Sequence, residues 1–309
     1  MKTIKMPYYT SSLDLHVEEK NLEAVIVAKI HEYKAQKSEE EIVREALENP
    51  IGTPKLRELA KGKNKVVLVT SDHTRAMPSK ITLPILLDEI RKGNPNADIT
   101  ILIATGLHRP TTVEEQRRMF GDQIVDNEKI AINNAFKPDD FTYVCTLPSG
   151  AGFNVNKLAV ECDLLITEGF IEPHFFAGFS GGRKSILPGI CSAETVNENH
   201  SYKAIASPYS VGGVLQNNPI HIDMVYAARK VNVQFNFNVA LDGEKKIIAA
   251  FAGDLVESHE KGVEFIKSLS LCPTVTGDIV VTSNGGYPLD QNLYQSPKAI
   301  ATAEACAGE

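Results

Sequence analysis

The sequence predicts an α/β protein whose central sheet is mostly parallel. Short apolar runs alternate with helical patterns along the chain, and polar loops follow the apolar runs, which is typical of consecutive βα units. The chain has 309 residues, of which 43% are apolar and 23% are charged. This composition is that of an ordinary globular protein with one large domain or two smaller ones.

The first part of the chain has a clear order of elements. The patterns predict a helix around 38–47, a strand at 65–70, a helix at about 78–92 and a strand at 99–104. Thr111 or Thr112 begins the next helix, because a glutamate follows each of them at the third position, as in a capping box.

The second part continues the alternation. The patterns predict a strand at 163–167, helices at about 192–205 and 219–230, strands at 233–241 and 246–252, and a helix at about 255–268. The glycine-rich stretch Glu172–Ile190 follows the strand at 163–167 and contains Gly178, Gly181 and Gly182. Because glycine lets a backbone approach a ligand closely, this stretch is the first candidate for a binding site.

The last residues form a unit of their own. Asp278–Ser283 is predicted to be a strand, and a helix begins at Ser296-Pro297, with a cap residue and a proline in its first turn. One strand and one helix cannot bury a core. We therefore predict an N-terminal α/β domain over 1–272 and the start of a second, incomplete α/β domain over 273–309. The alternative is that this unit docks on the first domain.

Charge and cysteine content argue against several classes of protein. A net charge of -7 disfavours a nucleic-acid surface, which would need a basic face. The sequence contains neither a membrane span nor a signal peptide, so no membrane association is expected. The five cysteines include no C-x-x-C pair, which disfavours a disulfide framework or a zinc knuckle and favours a reduced, cytoplasmic setting.

Polar side chains follow three of the predicted strands, in the loops Ser71–Arg75, Gly106–Arg109 and 168–190. Ligands of open α/β sheets bind at the carboxyl ends of the strands, so we expect these loops to converge on one site. Arg75 is a candidate for binding a substrate carboxylate, because a guanidinium offers two parallel donors. Lys298 is a second candidate for that carboxylate. If two domains enclose a cleft, Tyr294, Gln295 and Lys298 would face Asp72 and Arg75 across it, and the alternative is that they form a solvated helix start.

The segment Gly178–Ser185 differs by one residue from the P-loop pattern G-x-x-x-x-G-K-[ST]. Arg183 stands in place of the second glycine, and the segment does not directly follow a strand. The backbone cradle would be compromised, which disfavours an NTPase and leaves a looser phosphate contact open. Lys184 is either an anion contact or a covalent anchor.

Three of the eight histidines are candidate functional residues. His108 and His174 follow two strands in loops, where an acid–base pair would be useful, and His200 lies on the helix after the lysine loop. His73 lies inside the loop after a predicted strand and is interpreted as structural. The remaining four have no partners in the sequence and are interpreted as surface or core residues: His16, His31, His221 and His259. No H-x-x-x-H or H-E-x-x-H pattern supports a zinc hydrolase.

Together these segments resemble the nickel-dependent lactate racemase family. The matching segments are Ser71-Asp-His-Thr-Arg75, Gly106-Leu-His-Arg-Pro110, Glu172-Pro-His174 through Gly-Gly-Arg-Lys-Ser185, His200, and Tyr294-Gln-x-x-Lys298. The resemblance spans about 70 to 300, and the motifs are specific in combination. It implies two α/β (Rossmann-like) domains with an active-site cleft between them, of which the second is incomplete here.

The resemblance implies a nickel-pincer cofactor, a pyridinium-3-thioamide-5-thiocarboxylic acid mononucleotide, covalently linked to Lys184 and loaded by cofactor-maturation proteins. Nickel would be held by the pincer and by His200, and His108 and His174 would be the acid–base pair. The other implied contacts are Asp72, Arg75, Gly178, Gly181 and Gly182 for the cofactor, and Arg75, Tyr294, Gln295 and Lys298 for the substrate.

The implied activity is interconversion of D- and L-lactate by proton-coupled hydride transfer, with pyruvate as the intermediate. Each enantiomer needs its own base for the hydroxyl proton, which explains two histidines, each expected to titrate near neutrality. The cofactor would accept the hydride, and the protein would supply position and charge. Three alternatives stay open: a racemase or epimerase of another 2-hydroxy acid such as malate, a cofactor-free phosphate-ligand binding protein, and a P-loop-like nucleotide enzyme.

Overall fold

The computed structural model describes residues 1–287, 289–291 and 293–308. Its strands are β1 Lys2–Tyr8, β2 Ser11–Val17, β3 Lys65–Ser71, β4 Asp98–Ala104, β5 Lys129–Ile132, β6 Phe141–Thr146, β7 Gly152–Asn156, β8 Leu164–Phe170, β9 Pro173–His174, β10 Gly178–Phe179, β11 Val233–Leu241 and β12 Ile247–Gly253. Its α-helices are α1 Glu39–Glu48, α2 Leu56–Leu59, α3 Ser79–Gly93, α4 Val113–Phe120, α5 Asp122–Asn127, α6 Lys157–Glu161, α7 Ala193–Asn199, α8 Tyr202–Ile205, α9 Pro219–Lys230, α10 Glu257–Ser270 and α11 Pro297–Glu304. The 3₁₀ turns are Glu19–Asn21, Lys29–His31, Pro138–Asp140, Gly182–Ser185 and Leu293–Gln295.

A six-stranded sheet in the order β12-β11-β8-β3-β4-β5 forms the centre of the fold. All neighbours run parallel except β11 and β12, which are antiparallel. If the six strands are numbered by their order along the chain and read from β5 to β12, their order is 3-2-1-4-5-6. The direction of winding therefore reverses between β3 and β8. In such sheets ligands bind at the carboxyl ends of the strands at this switch point. The predicted α/β class with a mainly parallel sheet is confirmed.

The central strands are apolar because both faces of the sheet are covered. Every residue of β8 is buried. Along β3, Val66 and Leu68 pack into one apolar layer with α1 and α3, whereas Val67 and Val69 pack into the other with α9 and β7. The alternation follows from the two-residue period of a strand.

Capping residues set the starts of α1 and α4. Of the two threonines considered from the sequence, Thr112 is the N-cap of α4, and its hydroxyl accepts from the backbone of Glu115 while the Glu115 carboxylate accepts from the backbone of Thr112. Ser38 and Glu41 form the same capping box at α1. Each box satisfies two of the backbone donors that a helix start leaves unpaired.

Two sequence predictions were wrong. The predicted strand at Asp278–Ser283 does not form, and Ile279 is 84% exposed. Within the described residues, the nearby Gly277 makes only a single bridge, with Ala307, and a strand without a pairing partner is not stable. The predicted helix at 192–205 is two helices, because the chain leaves the helical path at His200 and restarts at the N-cap Ser201.

The hairpin β1–β2 links the two ends of the chain. At its tip the backbone amide of Tyr9 donates to Asp290 Oδ2 at 2.6 Å, and the Tyr9 carbonyl accepts from Tyr287 N at 2.8 Å. The predicted boundary after residue 272 stays a prediction. In the described ranges, no helix is long and apolar enough to cross a membrane.

Candidate active site

The loops after β3, β4 and β8 meet at the switch point of the sheet. His108 from the second loop lies 2.7 Å from Asp72 of the first, measured between Nδ1 and Oδ2. Gly106 of the second loop donates its amide to the carbonyl of Gly189 in the third at 2.9 Å. The expected convergence of the three loops is therefore present in the structure.

The buried Asp72 pairs with the partly buried His108. The Asp72 side chain also accepts from the Thr74 hydroxyl at 2.6 Å, and that hydroxyl accepts from Arg75 Nη1 at 3.0 Å. Burial disfavours the charge of Asp72, but the contacts with His108, Arg75 and Thr74 outweigh it and hold the pKa of this carboxyl below its ordinary value of 3.8. An ionised carboxylate can only accept, so His108 carries a proton on Nδ1.

His174 stands in the short hairpin formed by β9 and β10 and is 8% exposed. Its Nδ1 accepts from the amide of Ala177 at 3.3 Å, so the neutral ring carries its proton on Nε2. Burial, followed by the nearby cations Lys184 and Lys298, lowers the pKa of His174 well below 6.5. This direction is opposite to what titration near neutrality would need, and the acid–base role of His174 stays a prediction.

Phe176 is a site residue that the sequence analysis missed. Its ring centroid lies 4.5 Å from that of His174 and 4.9 Å from that of His200. The Lys184 ammonium nitrogen lies 5.6 Å from the same centroid, within cation–π range. Three predicted functional side chains thus surround one ring. The available signal was the apolar pair Phe175-Phe176 inside a loop that should be polar.

Lys184 lies in the 3₁₀ turn after β10 and is half-buried. Burial lowers the pKa of its amine well below 10.5, and the charge of Arg183 lowers it further, while Glu172 opposes this effect. The lowered pKa increases the fraction of the uncharged amine, which is the nucleophilic form, while the protonated form contributes positive charge to the site.

Arg183 is the largest fully buried side chain described, with 1% exposure. Its Nε donates to His221 Nδ1 at 3.0 Å, and His259 Nε2 lies 3.1 Å from its Nη1. The remaining bonds go to carbonyls of its own loop, those of Ala177, Ser180 and Gly181. The interpretation of His221 and His259 as residues without partners was therefore wrong. The Arg183 side chain fills the interior of this loop. A glycine, which a P-loop has at this position, could not do so.

The glycines of this loop are explained by packing. Gly178, Gly181 and Gly182 all have positive φ angles, of 77°, 76° and 53°, a region that favours glycine. A Cβ on Gly178 would lie 2.2 Å from the carbonyl oxygen of Val214, and one on Gly182 would lie 2.9 Å from the His259 ring. Their contact with a cofactor stays a prediction, since neighbouring protein atoms already account for the missing side chains.

His200 ends α7 and is the residue at which the predicted long helix breaks. Its Nδ1 is buried and has no hydrogen-bond partner in the part of the chain that the structure describes. Burial, together with the charge of Lys184, lowers its pKa to about 3. An uncharged imidazole with an unsatisfied nitrogen suits metal coordination.

One of the C-terminal candidates reaches the site loops. Lys298, at the start of α11, donates to Glu172 Oε1 at 3.0 Å, which brings it to the β8 loop. Gln295 is 6% exposed, and its backbone carbonyl accepts from Asn284 Nδ2 at 3.1 Å. The side chain of Tyr294, the remaining predicted substrate contact, lies outside the described residues.

Glu168 is a further buried group that sequence reasoning did not single out. It is fully buried in β8, and its Oε1 accepts from Thr70 at 3.1 Å and from Ser79 at 2.7 Å. Its Oε2 has no partner among the described residues. Burial raises the pKa of this carboxyl to about 7, although its hydrogen bonds oppose the shift.

The site can bind an anion and move protons. Arg75, Lys184 and Lys298 act together on His174, so their positive charges share one region. The described residues contain no cluster of three histidine, cysteine or acidic side chains that could hold a metal. His200 would therefore have to share a metal with ligands that another molecule brings, and Lys184 offers that molecule an amine. The donor set fits a metal cofactor attached to the lysine.

Comparison with known proteins identifies the family of the chain. Residues 8–213 match the family described as the lactate racemase N-terminal domain, and residues 272–309 match the lactate racemase C-terminal domain. The chain is 52% identical to a lactate racemase of Thermoanaerobacterium thermosaccharolyticum and 48% identical to one of Lactiplantibacillus plantarum. Each comparison extends over 305 residues, which is 99% of this chain and 72% of the relative.

The fold agrees as well. The structure of the lactate racemase apoprotein from Thermoanaerobacterium thermosaccharolyticum superposes with a TM-score of 0.94 at 50% identity, and the match covers 100% of this chain and 72% of that one. The chain belongs to the lactate racemase family of isomerases.

Proposed function

We propose that the chain interconverts D- and L-lactate by proton-coupled hydride transfer, with pyruvate as the intermediate. The observation that carries the proposal is the group around Phe176, where the amine of Lys184 and the imidazoles of His174 and His200 approach one ring. The relatives named lactate racemase, at 48 to 52% identity, support lactate as the substrate.

The cofactor of the proposal is the nickel-pincer mononucleotide, attached to Lys184 and bound to the protein through nickel and His200. The lowered pKa of Lys184 and the unpartnered Nδ1 of His200 support these two roles. Asp72, Arg75 and the glycines of the loop are proposed as further contacts. When bound, this group supplies the acceptor for a hydride.

The protein residues perform the proton transfer and the positioning. The hydroxyl proton of the substrate goes to Nε2 of His108, and the imidazolium that forms is stabilised by the Asp72 carboxylate 2.7 Å from Nδ1. The α-hydrogen leaves with both bonding electrons, so the intermediate is a planar 2-keto acid. Return of the hydrogen to the opposite face gives the other enantiomer.

His174 is proposed as the second acid–base residue. In the structure its neutral ring carries the proton on Nε2, the reverse of His108, so its Nδ1 must give up the hydrogen bond from the Ala177 amide before the ring can take a proton. The carboxylate of a bound substrate offsets the charges of Lys184 and Lys298, which would raise the pKa of His174 towards the range needed for proton transfer. Arg75, Tyr294, Gln295 and Lys298 are the proposed substrate contacts.

The cellular setting is part of the proposal. Attachment of a preformed mononucleotide to Lys184 calls for separate cofactor-maturation proteins. The five cysteines are all unpaired in the structure, which supports a cytoplasmic location.

Metal analysis and a chiral assay of both lactate enantiomers on the cofactor-loaded protein test the proposal. We expect one nickel per chain and racemisation of either enantiomer. Loaded protein that carries nickel and racemises malate in place of lactate would favour the alternative substrate. Protein that never carries nickel would favour a cofactor-free phosphate-binding function.

The variant Lys184→Ala tests the attachment. Its intact mass should lack the cofactor and its racemase activity should be lost, because the amine proposed to bind the cofactor is gone. A mass spectrum that still contains the covalent adduct would contradict this role.

A further inference from the structure

The ion pair between Glu172 and Lys298 joins the β8 loop to the start of α11. The two side chains are 28% and 16% exposed and lie 3.0 Å apart. The backbone of Glu172 is held in place by Ser180, whose hydroxyl accepts from Glu172 N at 2.9 Å and whose amide donates to Glu172 O at 2.9 Å. The Ser180 hydroxyl in turn donates to Phe170 O. The backbone of Glu172 is therefore anchored, and Lys298 reaches to its carboxylate.

Glu172 brings negative charge into a cationic region. Arg75, Lys184 and Lys298 all act on His174, and Glu172 is the acidic group that counteracts them at Lys184. The other nearby carboxylate, Asp72, is engaged by His108. A substrate carboxylate that binds Lys298 therefore competes with Glu172 for the positive charge of its ammonium group.

We propose that Glu172 determines substrate specificity: its carboxylate occupies Lys298 until a 2-hydroxy monocarboxylate displaces it, and it then repels any second carboxylate on the substrate. The inference rests on the proposed function, because it assumes that Lys298 binds the substrate carboxylate. The chemistry is electrostatic. Like charges that are brought together in a partly buried site are strongly unfavourable, so a dicarboxylate such as malate is rejected without any steric barrier.

The variant Glu172→Gln separates charge from shape. Glutamine keeps an oxygen that can accept from Lys298 and loses the negative charge. On the cofactor-loaded protein, we expect the calorimetric Kd for lactate to fall several-fold, because Lys298 is released. We expect malate to gain at least about tenfold relative to lactate, both in Kd and in kcat/KM. An unchanged ratio, or a higher Kd for lactate, would overturn the proposal, since Glu172 would then only position Lys298.

Glu264→Gln is the matched control, because it removes the same charge from the exposed ion pair with Lys261, in which the atoms lie 2.8 Å apart. Its malate-to-lactate ratio should equal that of the wild type. The two hypotheses are tested by different readouts. Wild-type loaded protein that racemises neither acid would contradict the proposed function, whereas the calorimetric Kd ratio decides the role of Glu172 by itself.

Discussion

Replacement of Glu168 by glutamine is expected to remove the part of the pH dependence of stability that comes from titration of this carboxyl. The carboxyl is fully buried, and burial raises its pKa from the ordinary 4.5 to about 7. Between these two values the folded chain holds a proton that the unfolded chain has released. The stability contributed by the protonated carboxyl is therefore fully present below pH 4.5 and is lost as the pH rises through about 7.

The magnitude follows from the size of this interval. Each pH unit between the two pKa values changes the free energy of unfolding by about 1.4 kcal/mol, so the whole effect is about 3 kcal/mol. Glutamine has no proton to release, and its oxygen can still accept from Thr70 and Ser79. The free energy of unfolding of Glu168→Gln, relative to wild type, should therefore rise by about 3 kcal/mol from pH 4.5 to pH 8.

Urea denaturation of both proteins at several pH values between 4.5 and 8 measures this difference. The exposed Glu40→Gln is the control, because it makes the same chemical change at a side chain that the fold does not bury. Parallel profiles for wild type and Glu168→Gln would refute the reasoning, since they would mean that the buried carboxyl does not change its protonation in this range.

Three further predictions concern the site. Asp72→Asn should lower kcat in the chiral assay by at least about 100-fold, because the amide no longer fixes the His108 tautomer or stabilises its imidazolium; near-normal kcat would contradict the pairing. Gly182→Ala should lower the free energy of unfolding by about 1 to 3 kcal/mol more than Gly62→Ala in denaturant titration. Both glycines have positive φ, but a Cβ at Gly62 has no neighbour within 4 Å, so equal losses would exclude the steric explanation. His200→Ala should lose nickel in metal analysis and keep the covalent mass increase on the lysine, and retention of full nickel would remove His200 as a ligand.

Sequence patterns predicted the elements whose signal is local. The apolar run at 65–70 and the uniformly buried β8 are strands because their residues suit a sheet covered on both faces. The sequence allowed either Thr111 or Thr112 as the cap of α4, and the structure has Thr112 in this position. The failed strand at Asp278–Ser283 had the same kind of apolar run, but in the described chain it lacks a neighbour to pair with, which no local pattern reveals.

The candidate site divides in the same way. His108, His174 and Lys184 stood out because reactive side chains in loops after strands are conspicuous in a sequence. The roles of Arg183 and His259 were missed, since their bonds join residues 76 positions apart. Phe176 was missed because a phenylalanine carries no functional signal until its neighbours are known. Burial and partners are tertiary properties, so they become visible only when the loops are placed together.

The anchoring of the Lys184 loop by Arg183 affects the thermodynamics of loading. The guanidinium satisfies the inward-facing carbonyls of this loop, which would otherwise need solvent or a bound ion. The loop therefore loses its conformational freedom when the chain folds, before any ligand arrives. A molecule that binds at Lys184 finds the loop already ordered. Its affinity is therefore not reduced by the entropy of ordering that loop.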